Sequence, residues 1–282
     1  MSEKETDIVL ELISMHEDKH LEIQRIQTEH RLKLVKFWGI GQGKRVLEIG
    51  CGQGDTTAVL AYSVGKDGFV HGIDIASPDY GAPITLGHAA EHLMRSSIGE
   101  RIRMDFEVDV LSLAFDFPND SFDEVVLSHC SWYFKSQEEL AAVLTKARKW
   151  AKRLCFAEWD PRIESIEQYP HLLAVLLQAQ IESFKINSEV NVRTLFAPAD
   201  IIRIAETAGW RVMKDGRIST DQLQDSGWEV QIAMTDQRNI YNDIDEMPAK
   251  LKQLIASEYS LLEDAIKDRQ IKAMPTFCLI AE

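Results

Sequence analysis

An α/β fold built on a largely parallel sheet is predicted by two features. Between Arg45 and Glu158, short apolar runs suited to buried strands alternate with helical stretches. A glycine-rich turn joins the first of those strands to a helix start. Strands that alternate with helices form βαβ units, with parallel strands and right-handed crossovers. The composition agrees: 282 residues, 45% hydrophobic and 27% charged, describe a globular chain of one or two domains rather than a disordered or low-complexity one.

Residues 6–38 are predicted as one long helix or two collinear ones. Ile8, Val9, Leu12, Ile13 and Met15, then Leu21, Ile23 and Ile26, then Leu32, Leu34, Val35 and Phe37 recur at broadly helical spacing. Gly39, Gly41 and Gly43 stop the pattern. Strands follow at 45–49, 69–75, 104–108, 124–128 and 153–158, with helices at 56–64, 89–98 and 137–150 between them. After Asp160 the alternation breaks. A helix over 163–186 is apolar on one side through Leu172, Leu173, Val175, Leu176, Leu177, Ile181 and Phe184. A further helix over 198–208 ends at Gly209, and strands are expected at 210–213 and 275–281. The stretch between them carries an amphipathic helix near 248–266. Residues 228–234 fit a strand by alternation and a helix by their flanks. The chain thus divides into an N-terminal helical segment (1–40), an alternating core (41–160), a helical lid or insertion (161–200) and a completion of the sheet with a helical insertion (201–282).

The net charge is −14, which disfavours nucleic acid or an anionic membrane as partner. The aliphatic run 172–177 is far short of the ~20 residues that span a bilayer. The acidic N-terminus lacks the basic start and apolar run of a signal peptide. Cys51, Cys130, Cys155 and Cys278 form no C-x-x-C pair, so neither a zinc site nor a dithiol centre is expected. Sparse cysteines suit a reducing compartment, and a cytoplasmic location is expected.

The segment Glu48-Ile49-Gly50-Cys51-Gly52-Gln53-Gly54 carries the chemistry. Glycines let the main chain turn sharply and let a ligand approach it. A dinucleotide fingerprint G-x-G-x-x-G fails, because Asp55 and Thr57 stand where its last glycine is required. A phosphate loop fails as well, since neither Gly43-Lys44 nor Gly65-Lys66 has the required neighbours. What stands is E-x-G-x-G-x-G, and a tight turn packed on an acid suits a ligand with a cationic amino-acid end. Strand two ends in Gly72-Ile73-Asp74, where an acid can accept two ribose hydroxyls; NAD enzymes use the same device, so Asp74 alone does not choose the cofactor. Strand three leads into Asp109-Val110, and strand four ends in Ser128-His129-Cys130-Ser131-Trp132-Tyr133-Phe134.

In these residues the chain resembles the class I S-adenosylmethionine (SAM)-dependent methyltransferases, closely over 44–134 and more loosely over 135–160 and 195–213. The resemblance implies a doubly wound, mostly parallel seven-stranded sheet with helices on both faces and the last strand antiparallel, with 41–160 as its Rossmann-like, SAM-binding core. It implies cofactor contacts from Glu48, Gly50, Cys51, Gly52, Gly54, Thr57, Asp74, Ile75, Asp109, Val110 and Ser128, with Asp109 accepting from the adenine amino group. His129 and Tyr133 are candidate catalytic residues; they act either as base and orienting group or as cofactor wall. Trp132, Glu158 and Asp160 are candidate substrate residues, the two acids either holding a cationic group or standing in solvent. The segment 163–190 is the expected roof, and Arg31 and His20 are candidates on the N-terminal helix.

Two histidine patterns imitate metal sites. His16-Glu17-Asp18-Lys19-His20 matches H-E-x-x-H, and His88-Ala89-Ala90-Glu91-His92 matches H-x-x-E-H. Too few residues precede the first for its flanking strands, and the second falls within the βαβ series. Relatives that use a metal for catechols place Asp where Ser128 stands, so no metal is expected. The absence of N/D-P-P-Y after strand four argues against nucleic-acid methylation. The expectation is therefore methyl transfer from SAM to a nitrogen or oxygen of a small molecule by a monomer or homodimer. The alternatives are a non-catalytic SAM-binding regulator and an NAD-dependent oxidoreductase.

Overall fold

A computed structural model describes residues 3–13, 21–185, 192–237, 241, 244–267 and 270–282. Helices α1 (Glu3–Ile13) and α2 (Leu21–Trp38) lead into β1 (Arg45–Ile49), α3 (Asp55–Val64), β2 (Phe69–Ile73), α4 (Leu86–Met94), β3 (Ile102–Asp105), β4 (Phe122–Ser128), α5 (Gln137–Trp150) and β5 (Ala151–Trp159). Then come α6 (Tyr169–Glu182), α7 (Pro198–Thr207), β6 (Val212–Ile218), α8 (Asp225–Ile232), α9 (Ala249–Ile266) and β7 (Thr276–Ala281). Among the described residues the strands form a seven-stranded sheet in the order β3-β2-β1-β4-β5-β7-β6. The first five run parallel, and β7 pairs antiparallel with both β5 and β6. The direction of winding reverses between β1 and β4, and ligands of such sheets lie outside the carboxyl ends of the strands at that point.

The central strands are apolar almost continuously because both faces are covered. Alternate side chains serve different cores, as the two-residue pleat requires. Leu47, Val125, Leu127, Leu154 and Phe156 pack with Leu140, Leu144 and Trp150 of α5. Val46, Val126 and Cys155 pack on the opposite side with Leu34 and Trp38 of α2 and Leu60 and Val64 of α3. A third cluster joins Leu173, Leu177 and Ile181 of α6 to Val230 of α8 and Ile255, Tyr259 and Leu262 of α9.

Several boundaries differ from expectation. The N-terminal helices are not collinear. Arg25 Nη2 lies 2.7 Å from Asp7 Oδ1, whereas 18 residues of continuous helix would separate them by ~27 Å. The third strand ends at Asp105 rather than Val108, because Glu107 takes a left-handed φ of 57°. Thr85 caps α4 three residues earlier than expected, accepting from the His88 N–H. Residues 228–232 belong to α8, not to a strand. β6 is longer than the predicted 210–213 and begins after Gly209 turns at φ 90°. As an edge strand with mostly exposed side chains it has little apolar alternation to read. No described helix is long and apolar enough to cross a membrane.

Candidate active site

The loop after β1 holds three glycines in the left-handed region, with φ of 77° at Gly50, 52° at Gly52 and 90° at Gly54. Their surroundings differ. A Cβ on Gly50 would stand 2.7 Å from Cys130 Cβ, and one on Gly54 would meet Met104 and Leu93 at 3.0 and 3.1 Å. A Cβ on Gly52 would meet nothing within 4 Å. Gly52 N–H donates to Asp74 Oδ2 at 2.8 Å, so the acid past β2 is tied to the loop. Val108 N–H donates to Asp74 O at 2.9 Å, which brings the turn after β3 alongside. There Asp109 Oδ1 accepts from Leu111 N–H at 2.8 Å, and Val110 is buried. Ile75, next to Asp74, leaves 70% of its surface exposed.

Beneath the loop, Glu48 is buried and accepts a hydrogen bond from the Thr57 hydroxyl. Burial pushes the Glu48 carboxyl up to about 8, despite that hydrogen bond. The Cys51 side chain is buried against Gly72, and its main chain is held by the loop itself, its N–H donating to Ile73 O and its carbonyl accepting from Gly54 N–H. Arg31 of α2 pairs with Asp55 at the start of α3, 3.2 Å apart.

Beyond β4 the chain turns at His129, whose φ is 51°. Backbone strain of this kind in a non-glycine residue persists where the surroundings impose it. His129 N–H donates to Ala157 O on β5, and its ring lies 4.5 Å, centroid to centroid, from Trp159. His129 Nδ1 is 3.5 Å from Glu158 Oε1, and Nε2 is 3.2 Å from Nε2 of His30 on α2. Glu158 is buried and accepts three hydrogen bonds, from Ser131 N–H, Ser131 Oγ–H and Trp159 N–H. Burial holds His30 well below the usual histidine range, so it is neutral. A cavity of about 380 Å³ opens here. It is walled by His129, Trp132, Tyr133, Glu158 and Trp159 below and by Val175 of α6 and residues of α8 above.

Residues 46–153 match a family described as a methyltransferase domain. The whole chain is similar to a cyclopropane-fatty-acyl-phospholipid synthase-like protein from Lactobacillus casei, with 32% identity, 99% of each chain covered and a TM-score of 0.88. The chain belongs to the class I SAM-dependent methyltransferases. The methyltransferase phomM' of Diaporthe leptostromiformis is 29% identical over 208 residues, 61% of this chain and 54% of that protein. The methyltransferase described here thus spans about half the length of that curated relative. Geranyl diphosphate C-methyltransferase from Streptomyces coelicolor A3(2) shares the fold, with a TM-score of 0.52, 12% identity and coverage of 96% and 86%.

SAM is the methyltransferase's cofactor, and the residues fit it. Gly52 leaves a cradle that a Cβ would fill. The polar side chains gathered there, Glu48, Asp74 and Asp109, are carboxyl acceptors suited to hydroxyl, amino and ammonium groups rather than to phosphate. The exposed Ile75 offers an apolar face beside them.

The structure also corrects the acceptor side. Glu158 and Asp160 are both buried, so neither stands in solvent. Two residues apart on an extended chain they would share a face, but β5 ends between them. Asp160 turns to Arg162 and Arg217, with oxygens 2.8 and 2.6 Å away, and is not on the cavity wall. His30, Trp159 and the α8 residues Asp225, Trp228 and Glu229 were not anticipated. Among the described residues the roof is α8 more than 163–185, which contributes Val175. Among the described residues no cluster of three or more His, Cys, Asp or Glu is placed to hold a metal ion. His16, Glu17 and His20 lie outside the described residues.

The raised Glu48 carboxyl has a consequence for stability. Between the ordinary value of 4.5 and about 8 the folded protein keeps a proton that the unfolded chain releases. The contribution of this group to stability therefore falls as pH rises through that window, by up to ~1.4 kcal/mol per pH unit. Without SAM, Glu48→Gln should lose that fall relative to wild type, read from urea midpoints at pH 5, 6.5 and 8.

Proposed function

We propose that the enzyme transfers the SAM methyl group to a nitrogen or oxygen of a small molecule held in the cavity beyond β4 and β5. The observation that carries this reading is the contact between the two halves of the site. Cys130, in the turn that forms the cavity wall, packs against Gly50 of the glycine loop, and its Sγ–H donates to Ile49 O at 3.3 Å. A cofactor in the loop and an acceptor in the cavity are therefore neighbours. When bound, SAM supplies a methyl group already activated on a sulfonium. The protein's part is then to place a nucleophile in line, ~3–3.5 Å from the carbon, and to exclude water.

In this reading the loop main chain at Gly50, Gly52 and Gly54 holds the amino-acid end, with Glu48 and Thr57 behind it. Asp74 takes the ribose hydroxyls; Asp109, Val110 and Ile75 enclose the adenine, and Ser128 stands at the junction. Trp132, Tyr133, His129 and Glu158 frame the acceptor. The cavity volume suits a small molecule rather than a docked polymer. A non-catalytic regulator would need no such cavity. All four cysteines are free, which supports a reducing, cytoplasmic setting.

The test is incubation with methyl-labelled SAM and a small-molecule library, read as label transfer. Calorimetry on Asp74→Ala should show SAM affinity weakened by roughly 1–3 kcal/mol through lost hydrogen bonds to a charged acceptor. Binding of NADH without SAM, or label found only on nucleic acid or folded protein, would overturn the reading.

A further inference from the structure

We propose that the acceptor is an amine, recognised as its ammonium form by an acidic, aromatic cage at the end of the cavity formed by β5 and α8. The proposal rests on the methyl-transfer reading above and narrows it.

The first observation is the lining. Trp132, Trp159 and Trp228 supply aromatic surface, and Glu158, Asp225 and Glu229 supply carboxyl groups. Among the described residues no Lys or Arg lines the cavity. A phosphate or carboxylate entering it would meet like charge, whereas a cation gains from both the acids and the ring faces. Glu158 stands on this wall with its carboxyl group fixed by three donors, Ser131 N–H, Ser131 Oγ–H and Trp159 N–H.

The second observation is an unanswered donor. Trp132 is 3% exposed, and its indole N–H has no partner in the protein. Buried polar groups of native proteins are nearly always satisfied. The ring of Trp132 lines the cavity, and the partner assigned to its buried N–H is an acceptor atom on the ligand, such as a hydroxyl or carbonyl oxygen carried by the amine, reached when the indole shifts toward it.

The third observation separates nitrogen from oxygen. A hydroxyl must lose its proton to a base as it reacts, and His129 was the expected base. Its Nε2 meets His30 at 3.2 Å instead, and its Nδ1, 3.5 Å from Glu158 and without a hydrogen-bond partner, is buried away from the cavity surface. Tyr133 is a phenol, which keeps its proton at neutral pH. An amine held as its ammonium first gives its proton to water in the cavity, and the transfer itself then needs no base. The lone pair of its neutral form makes the new N–C bond while the S–C bond breaks with both electrons passing to sulfur. A primary or secondary amine then releases a proton to water, and a tertiary amine keeps the new positive charge. His129 becomes a positioning residue that joins Glu158 to α2.

The test uses the full chain without SAM and two probes of the same shape. One is the (2-hydroxyethyl)trimethylammonium cation, and the other is its uncharged carbon isostere 3,3-dimethylbutan-1-ol. Calorimetry should show the cation binding at least tenfold more tightly. Glu229→Gln should weaken the cation threefold or more while leaving the alcohol within twofold, and Trp228→Ala should weaken the cation at least as much. Equal affinity for the two probes, or binding of neither, would overturn the amine assignment. SAM affinity is measured on the same samples. Loss of SAM binding by the wild type would defeat the methyl-transfer reading, whereas normal SAM binding with no preference for the cation defeats the cage alone.

Discussion

Gly52→Val should yield a folded protein that no longer binds SAM. The two parts of that expectation come from different atoms. A Cβ at Gly52 meets nothing within 4 Å, so the side chain displaces no part of the protein. The backbone angle of 52° is disfavoured for a β-branched residue, at a cost of about 1–3 kcal/mol. The same open space is where the cofactor's amino-acid end would lie. Affinity should fall more than 100-fold, about 2.7 kcal/mol, as read by calorimetry, with the far-ultraviolet circular dichroism spectrum unchanged. Gly50→Val makes the contrasting control. Its Cβ would collide with Cys130 at 2.7 Å, so it should fail by unfolding. A Gly52→Val protein that binds SAM normally would remove the loop from the site.

Glu158→Ala should be the most damaging change on the acceptor side. It leaves Ser131 N–H, Ser131 Oγ–H and Trp159 N–H without their acceptor. Each orphaned buried donor costs ~1–3 kcal/mol, so a stability loss of about 3 kcal/mol is expected from urea unfolding. Turnover should fall at least 100-fold, about 2.7 kcal/mol, because the wall, the cage and the partner of His129 change together. SAM affinity should stay within threefold, under ~0.7 kcal/mol, since no loop contact is lost. Glu158→Gln, which keeps the volume and one acceptor oxygen, should fall between. Wild-type turnover by the alanine variant would exclude Glu158 from the acceptor site.

How much of this was legible in the sequence follows from how each part is built. The proposed cofactor side comes from consecutive strand ends, so Gly50 to Gly54, Asp74 and Asp109 appear in order along one stretch, each following an apolar run. The acceptor side is assembled from distant parts of the chain. His30 sits on a helix whose pattern marks it only as one polar residue among many, and its contact with His129 exists because α2 packs across β7 and β5. Trp228 and Glu229 lie on a helix too short for periodicity to declare. Asp160 looked equivalent to Glu158 because nothing local announces that the strand ends between them. The separate reasons for Gly50 and Gly52, one a close approach and the other an open cradle, are likewise properties of neighbours that only the fold supplies.

The position of β7 sets an order of assembly. It is the last strand along the chain, yet it lies between β5 and β6, so β6 has no strand to pair with until residues 276–281 arrive. The five parallel strands that carry the glycine loop, Asp74 and Asp109 precede it in sequence and pair among themselves. Thr276, the first residue of β7, reaches His30 with its hydroxyl at 3.3 Å, and Pro275 accepts from Asp160 N–H. Pairings this far apart in sequence carry the largest loop-closure cost and form late. The five parallel strands can therefore pair before β7 arrives, whereas β6 joins the sheet only once β7 fills the slot between it and β5.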